Sequence, residues 1–454
     1  MGTNILRFIN HASYYIANDE SVLLIDPWVQ GSAFNNGWSL LDGSTSNAAL
    51  VAELAELGRK TYIWFSHEHP DHFSISFIKQ LKQDFPGKIT VLFQHTKDKR
   101  VVNFLRRSQF EVIECQPGET FALDASMAIT VFPHADGDSW CLVNAGGRTV
   151  LNLNDCALTN ADMCQAIKRQ VARLCERVDV LLTQFGYANW IGNPFQPELR
   201  RAAAEEKIYR IRLQMEILAP RITVPFASFV AFASVDNCYL NDQQNTARMI
   251  AHWARQSRAT DTVRFLKPGD DIELNVDTAE SLAWASDAAV EHWERLGAAR
   301  GNLLAAEPAA SAADLRAAVS KHCHNMQSNL LGLPWLLETL GLIHSLTIRL
   351  PDAGLTIRAS YVSGYSELPA DARCDISMTS ASALFLFNNE YGFNTTHVNG
   401  RFRTADDGAL TRFARFFMPQ NLGRQGYGVQ HPLATLRYLA GNVATRIGRL
   451  AAPN

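Results

Sequence analysis

His67-Glu68-His69-Pro70-Asp71-His72 stands directly after Lys60-Thr61-Tyr62-Ile63-Trp64-Phe65-Ser66. The preceding stretch is apolar and rich in β-formers, so it reads as a buried strand. Three imidazoles and one carboxylate are thus presented from the loop at a strand end. Neutral imidazole nitrogen and carboxylate oxygen suit zinc, iron or manganese, and the donor set alone does not choose among them. Pro70 fixes its own φ and disfavours helix at His69, so the turn is held in place. The competing reading is a histidine-rich surface loop. A chain of 454 residues with 13 histidines places three in six positions by chance only rarely, so metal binding is the stronger reading.

Outward from this motif, residues 5–9 and 12–17 read as short strands, and 21–25 as another that ends at Asp26-Pro27-Trp28. Helices are expected over 48–57, over 73–85 directly after the ligand loop, and over 97–108. Further strands are expected at 89–94, 110–115, 127–133, 140–145 and 148–153, with Gly146-Gly147 as a hairpin turn in the last pair. Strands alternating with helices imply an α/β domain with helix-covered sheets. His134 follows one of these strands, and Asp155 follows the hairpin. A loop histidine and a turn or capping aspartate are the plainer alternatives.

Composition gives the frame. Hydrophobic residues make up 47% of the chain, enough for two or three domains. The formal net charge of -3 argues against a general nucleic-acid binder. Eight cysteines show no CxxC pairing and read as reduced thiols of a cytoplasmic protein. The N-terminal residues lack a signal-peptide core, and no apolar run approaches the roughly 20 residues of a membrane span. A cytoplasmic enzyme acting on a small molecule is the expectation.

The pattern His-x-His-x-Asp-His at a strand end resembles the signature of the metallo-β-lactamase superfamily. That resemblance implies an αββα sandwich and a dinuclear metal centre. His67 and His69 would hold the first metal with His134, Asp71 and His72 would hold the second, and Asp155 would bridge. The family's final histidine falls in the segment 220–228, where this chain has Ala227, and no histidine occurs between His134 and His252. His252 lies in a helical pattern and reads as a helix-surface residue. Open coordination positions would follow, which O2 activation requires and hydrolysis can also use.

Further stretches are similar to the lactamase-like part of the CMP-N-acetylneuraminate hydroxylase family over roughly residues 5–245. They include His11-Ala12-Ser13-Tyr14-Tyr15-Ile16, Leu24-Ile25-Asp26-Pro27-Trp28, Gly37-Trp38 and Val150-Leu151-Asn152-Leu153-Asn154-Asp155-Cys156. This implies a dinuclear centre in which iron is favoured over zinc or manganese, with O2 as co-substrate. The hydroxylase family carries an N-terminal Rieske domain, whose paired Cys and His ligands do not precede the strands here. Electrons would then come from a separate donor, from the substrate or from a reductant in solution.

The expected domains are 1–290 for the metal-binding part, 306–420 for an α+β accessory part, and 421–454 for a helical tail. The helix–strand order of the accessory part resembles a sterol-carrier-like fold, with an unrelated α+β dimerisation domain as the alternative. A homodimer could pack through tail residues 432–450. His322-Cys323-His324 reads as structural, because neighbours one and two apart on a helix do not share a face. Around the metals, His11, Asp26, Trp28, Trp38, Tyr187 and Asn189 are pocket candidates, though aromatic residues of an α/β domain are more often core. Lys207, Arg210 and Arg212 form a basic helix segment that reads as a solvated face or as an anion site.

An oxygenase or hydroxylase is favoured. The alternative is a metallohydrolase of phosphodiester, sulfate ester, acyl or lactone substrates, in which Asp71 or Asp155 would orient a hydroxide. A non-catalytic lipid-binding module ranks last.

Overall fold

The computed structural model describes residues 4–257, 262–275, 283–298 and 303–424. It divides into two compact units: residues up to Ser234 with Cys238–Leu304, and Val235–Asn237 with the residues from Ala305 onward.

The first unit runs β1 (Ile5–Asn10), β2 (Ser13–Ala17), β3 (Ser21–Ile25), β4 (Ser32–Ala33), β5 (Trp38–Leu40), α1 (Asn47–Leu57), β6 (Lys60–Phe65), α2 (Ile75–Asp84), β7 (Ile89–Gln94), α3 (Arg100–Arg107) and β8 (Glu111–Cys115). It continues through β9 (Thr120–Ala122), β10 (Met127–Pro133), β11 (Ser139–Ala145), β12 (Arg148–Asn152), α4 (Ala161–Val171), β13 (Val180–Gln184), α5 (Pro197–Leu218), β14 (Ile222–Phe226), β15 (Val230–Phe232), α6 (Ala247–Gln256) and β16 (Asp271–Glu273). A seven-stranded sheet has the order β16-β1-β2-β3-β6-β7-β8, and a six-stranded sheet the order β14-β13-β12-β11-β10-β9.

Alternation along the strands fixes the layers. In β6, Tyr62 and Trp64 enter the core between the two sheets, while Ile63 and Phe65 face the other way, against Leu50, Leu54, Phe77 and Leu81 of α1 and α2. In β12 and β13, Val150, Val180 and Leu182 join the inter-sheet core. Leu151 and Leu181 instead pack with Cys164 and Ile167 of α4 and Leu213 of α5. Both faces of each sheet are therefore covered, and the unit is the expected αββα sandwich.

Gly146 and Gly147, at φ 59° and 80°, make the β11–β12 hairpin, a left-handed pair that glycine adopts without a Cβ clash. Three features lie outside the sequence reading: β9, the small sheet β15-β5-β4, and β16, which returns from far along the chain to pair with β1. Each depends on a short strand recruited by tertiary pairing, for which two or three residues carry no periodic signal.

The second unit holds a five-stranded sheet of order β19-β18-β17-β20-β21, made of Leu346–Leu350 (β17), Leu355–Ser360 (β18), Gly364–Leu368 (β19), Ile376–Ser377 (β20) and Arg403–Thr404 (β21). Helices Ala312–Asn329, Ser380–Asn388, Gly392–Asn399 and Ala409–Phe416 accompany it. Of the expected tail, Asn421–Arg424 completes a helix begun at Met418, and residues 425–454, with the 432–450 dimerisation segment, lie outside the described residues. His322 is buried among Phe387, Phe416 and Phe417, with Nε2 3.3 Å from the Tyr361 hydroxyl, in keeping with a structural role.

Burial pushes the His322 imidazole down to about 4. The unfolded chain protonates it near 6.5, so the folded state loses stability as pH falls from about 6.5 toward 4. This group alone should remove about 2 kcal/mol between pH 7 and pH 5. His322→Phe is expected to flatten the pH dependence by that amount in denaturant unfolding of the full chain. An unchanged slope contradicts the buried neutral imidazole.

Candidate metal centre

The chain directions of β1, β3, β6, β12, β13 and β14 bring the ends of these strands to one rim of the sandwich. The residues that follow them are His11, Asp26, Ser66-His67, Asn154-Asp155 and Ala227. His11, Asp26, Asn154 and Ala227 take left-handed backbone, with φ of 39°, 43°, 48° and 50°. For residues with a Cβ this costs on the order of 1 kcal/mol or more each, and such strain concentrates at functional sites. The ligand turn is closed by the His69 carbonyl, which accepts the His72 and Phe73 N–H groups at 3.0 and 2.7 Å. Ser74 then caps α2.

The ligand atoms fall into two sets, His67/His69/Asp155 and His11/Asp71/His72, each within 4.8 Å. His67 Nε2 and His69 Nδ1 are 2.9 Å apart. Asp155 Oδ2 lies 3.9 Å from His67 Nε2 and 3.3 Å from His72 Nε2, so it stands between the sets. Asp71 Oδ2 lies 3.3 Å from His72 Nε2 and 3.5 Å from His11 Nε2.

The rings are aimed from behind. Ser66 Oγ is 2.9 Å from His67 Nδ1, and Asp26 Oδ2 is 3.0 Å from His72 Nδ1, which leaves the Nε2 atoms toward the centre. The fully buried Asp26 also accepts the Ser66 N–H at 2.8 Å, the Ser66 hydroxyl at 2.7 Å and the Asn154 amide at 2.5 Å. A carboxylate behind a ligating histidine fixes its tautomer and raises its basicity.

Electrostatics match a cation. Burial pushes the His67 ring well below the usual imidazole range, helped by His72 and His69, and burial lowers His69 as well. Burial opposes charge on His72 too, yet Asp71, Asp155 and Asp26 outweigh it and carry that ring well above the usual range. Burial likewise opposes charge on Asp155, but His72 and His67 hold it down at about 2. Asp71 is kept well below the carboxylate range, against its burial, by His72 and His11. Neutral His67 and His69 and ionised Asp71 and Asp155 are the protonation states that metal binding needs. His11 Nδ1 and Nε2, His72 Nε2 and Asp71 Oδ1 are buried without a hydrogen-bond partner. Orphaned buried donors of this type converging on one place fit a metal ion.

His134 stands outside both sets. It precedes the short 3-10 turn Ala135–Gly137, and Asp138 at the end of that turn has Oδ1 3.8 Å from His67 Nε2. Three residues separate the two, and spacing alone does not single out Asp138. Gln94 holds the loop by donating to the Gly137 and Ser66 carbonyls at 2.5 and 3.2 Å.

Among the pocket candidates, Asp26 is the orienting carboxylate, and Trp28 packs edge-on to His11 at 5.5 Å. Trp38 meets Phe34 at 4.6 Å, and Phe34 meets His69 at 5.7 Å, so Trp38 backs the site through Phe34. Tyr187 donates its hydroxyl to the Leu240 carbonyl and Asn189 is half-buried beyond it; neither belongs to a ligand set. His252 is on the exposed face of α6. Lys207, on α5, donates to Gln184 Oε1 at 2.5 Å, and burial pushes its ammonium down to about 8, with Arg210 adding to this and Asp155 opposing it. Lys207 is half-buried, and its ammonium is electrostatically coupled to Asp155.

Asp26→Ala removes the acceptor behind His72 and Ser66 together. The expected outcome in a competitive metal titration is a loss of about 10–100-fold in affinity. Metal affinity equal to wild type would contradict the orienting role.

No family model matches the chain. It is 26% identical to cytidine monophosphate-N-acetylneuraminic acid hydroxylase of Mus musculus over 288 residues, 59% of this chain and 47% of the mouse protein. To the Danio rerio protein of the same name it is 24% identical over 295 residues, 60% of this chain and 46% of the relative. The chain thus spans about half the length of the curated relatives it matches. Among solved structures, a variant of the β-hydroxylase CmlA is 17% identical with a TM-score of 0.41, covering 60% of this chain and 54% of that one. The metallo-β-lactamase fold protein YhfI from Bacillus subtilis is 14% identical with a TM-score of 0.38, covering 60% and 98%. Over about three-fifths of its length the chain is similar to the cytidine monophosphate-N-acetylneuraminic acid hydroxylases, and its first unit is an αββα sandwich.

Proposed function

We propose that the chain is a dinuclear non-haem iron oxygenase that hydroxylates a small anionic substrate of nucleotide–sugar type. The observation that carries this reading is the set His67/His69/Asp155, two imidazoles and one carboxylate, with Asp71 and His72 adjoining it. Two histidines and one carboxylate with open positions serve non-haem iron oxygenases as well as zinc hydrolases, and the similarity to hydroxylase-named proteins favours the first.

When bound, the metals would supply O2 activation. The chain's own part is to hold and aim the ligands through Ser66, Asp26 and Asn154. Phe34, Trp38 and Trp28 exclude water from the rim of the site. Lys207 offers a desolvated ammonium to the anionic group of the substrate. Hydroxylation inserts one oxygen atom into a C–H bond and releases the other as water, drawing two electrons and two protons from a donor. The second unit is assigned an accessory role.

The name of the relatives makes cytidine monophosphate-N-acetylneuraminic acid the first substrate to test. Iron-loaded protein supplied with a chemical reductant and isotopically labelled O2 should incorporate the label into the product. Turnover that persists without O2, with zinc or manganese bound, would instead establish a metallohydrolase.

Lys207→Met should raise KM for an anionic substrate about 10-fold or more, with a smaller change in kcat, as expected for losing a charged hydrogen bond. In the wild type, KM should rise as pH passes about 8, where the ammonium loses its proton. A KM that is unchanged in the variant removes the anion-binding role.

A further inference from the structure

We propose that His11 is a protein ligand of the second metal, completing with Asp71 and His72 a second set of two imidazoles and one carboxylate. This rests on the two-metal reading above and assigns the donor that Ala227, with only a methyl group, does not provide.

The imidazole of His11 is 1% exposed, and both of its ring nitrogens lack a hydrogen-bond partner. A neutral imidazole has one donor and one acceptor, and burying either unmet is costly; Nε2 faces Asp71 Oδ2 at 3.5 Å, the limit of a hydrogen bond. A cation at Nε2 satisfies the acceptor directly. Spacing agrees: Nε2 of His11 and Nε2 of His72 lie 3.5 and 3.3 Å from the same Asp71 oxygen. Donors each about 2.0–2.2 Å from one ion are separated by roughly 3.3 Å in tetrahedral geometry. Two of the three separations thus already match a shared ion, and all three ligand atoms lie within 4.8 Å of one another.

The backbone around His11 is built to present this ring. Its φ is 39°, in the left-handed region. Its N–H donates to Asn10 Oδ1 at 2.9 Å, and Asn10 in turn donates to the Asp42 carbonyl at 2.7 Å. Its carbonyl accepts the Ala227 N–H at 2.8 Å. Trp28 closes one side of the ring at 5.5 Å. Ala227 and His11 are thus bonded neighbours at the end of the sandwich. The donor on this side of the site comes from the end of β1, across the sheets from β14.

His11→Gly tests the assignment, because glycine adopts the same positive φ without strain and deletes only the ring. The metal-depleted full chain is titrated with Co(II), and uptake is read from the visible absorption and from metal per chain, with no assay of activity. Wild type should take up two equivalents. His11→Gly should retain one and lose the second, and added imidazole should restore it. Should the glycine variant fail to fold, His11→Asn carries the same titration, since asparagine tolerates left-handed backbone. Two equivalents bound in the variant as tightly as in wild type overturn the role of His11 and leave the two-metal reading standing. One equivalent in the wild type overturns both.

Discussion

The carboxylate of Asp26 lies fully buried where the two sheets meet, and the arrangement of the metal centre depends on it. Its oxygens accept from Ser66 after β6, from His72 in the ligand turn and from Asn154 after β12. One anion thereby ties the end of β3 to the ligand turn in its own sheet and to a loop of the other. A buried charge is tolerated only when it is paired and hydrogen-bonded, and here every bond it accepts also positions a ligand or the chain beside one. The left-handed backbone at Asp26 and Asn154 places both side chains on this contact.

Charge around His72 explains why the site calls for a cation. Asp26, Asp71 and Asp155 all face that imidazole, while His67 and His69, lowered by burial, add lone pairs rather than positive charge. Carboxylates gathered around one protonated ring leave a negative surplus, which bound metal ions would neutralise. Lys207 lies at the margin of the same field. Its ammonium is enclosed enough to lose basicity, which suits a group that exchanges an internal partner, Gln184, for a substrate anion.

Much of this was legible in the sequence. The apolar run 60–66 became β6, the helix after the ligand loop became α2, and His67, His69, Asp71, His72 and Asp155 converge in space. Local patterns sufficed because strand periodicity fixes which side chains face the core and a strand end fixes where the next loop emerges. What stayed hidden depends on contacts between distant segments. Asp26 could be placed near the site but not recognised as the common acceptor, since its partners lie 40, 46 and 128 positions away. Asp138, which the sequence reading did not single out, comes within 3.8 Å of His67 because a 3-10 turn folds its loop back over the site. Lys207 reads as an exposed helix residue until the end of β13 is placed beside it.

X-ray absorption on iron-loaded wild-type protein tests the central claim most directly. The account predicts two irons per chain in nitrogen and oxygen coordination, with an iron–iron scattering path at about 3.5–4 Å. A single iron per chain, or two with no metal–metal path, would contradict a dinuclear centre built on the Asp26-anchored strand ends.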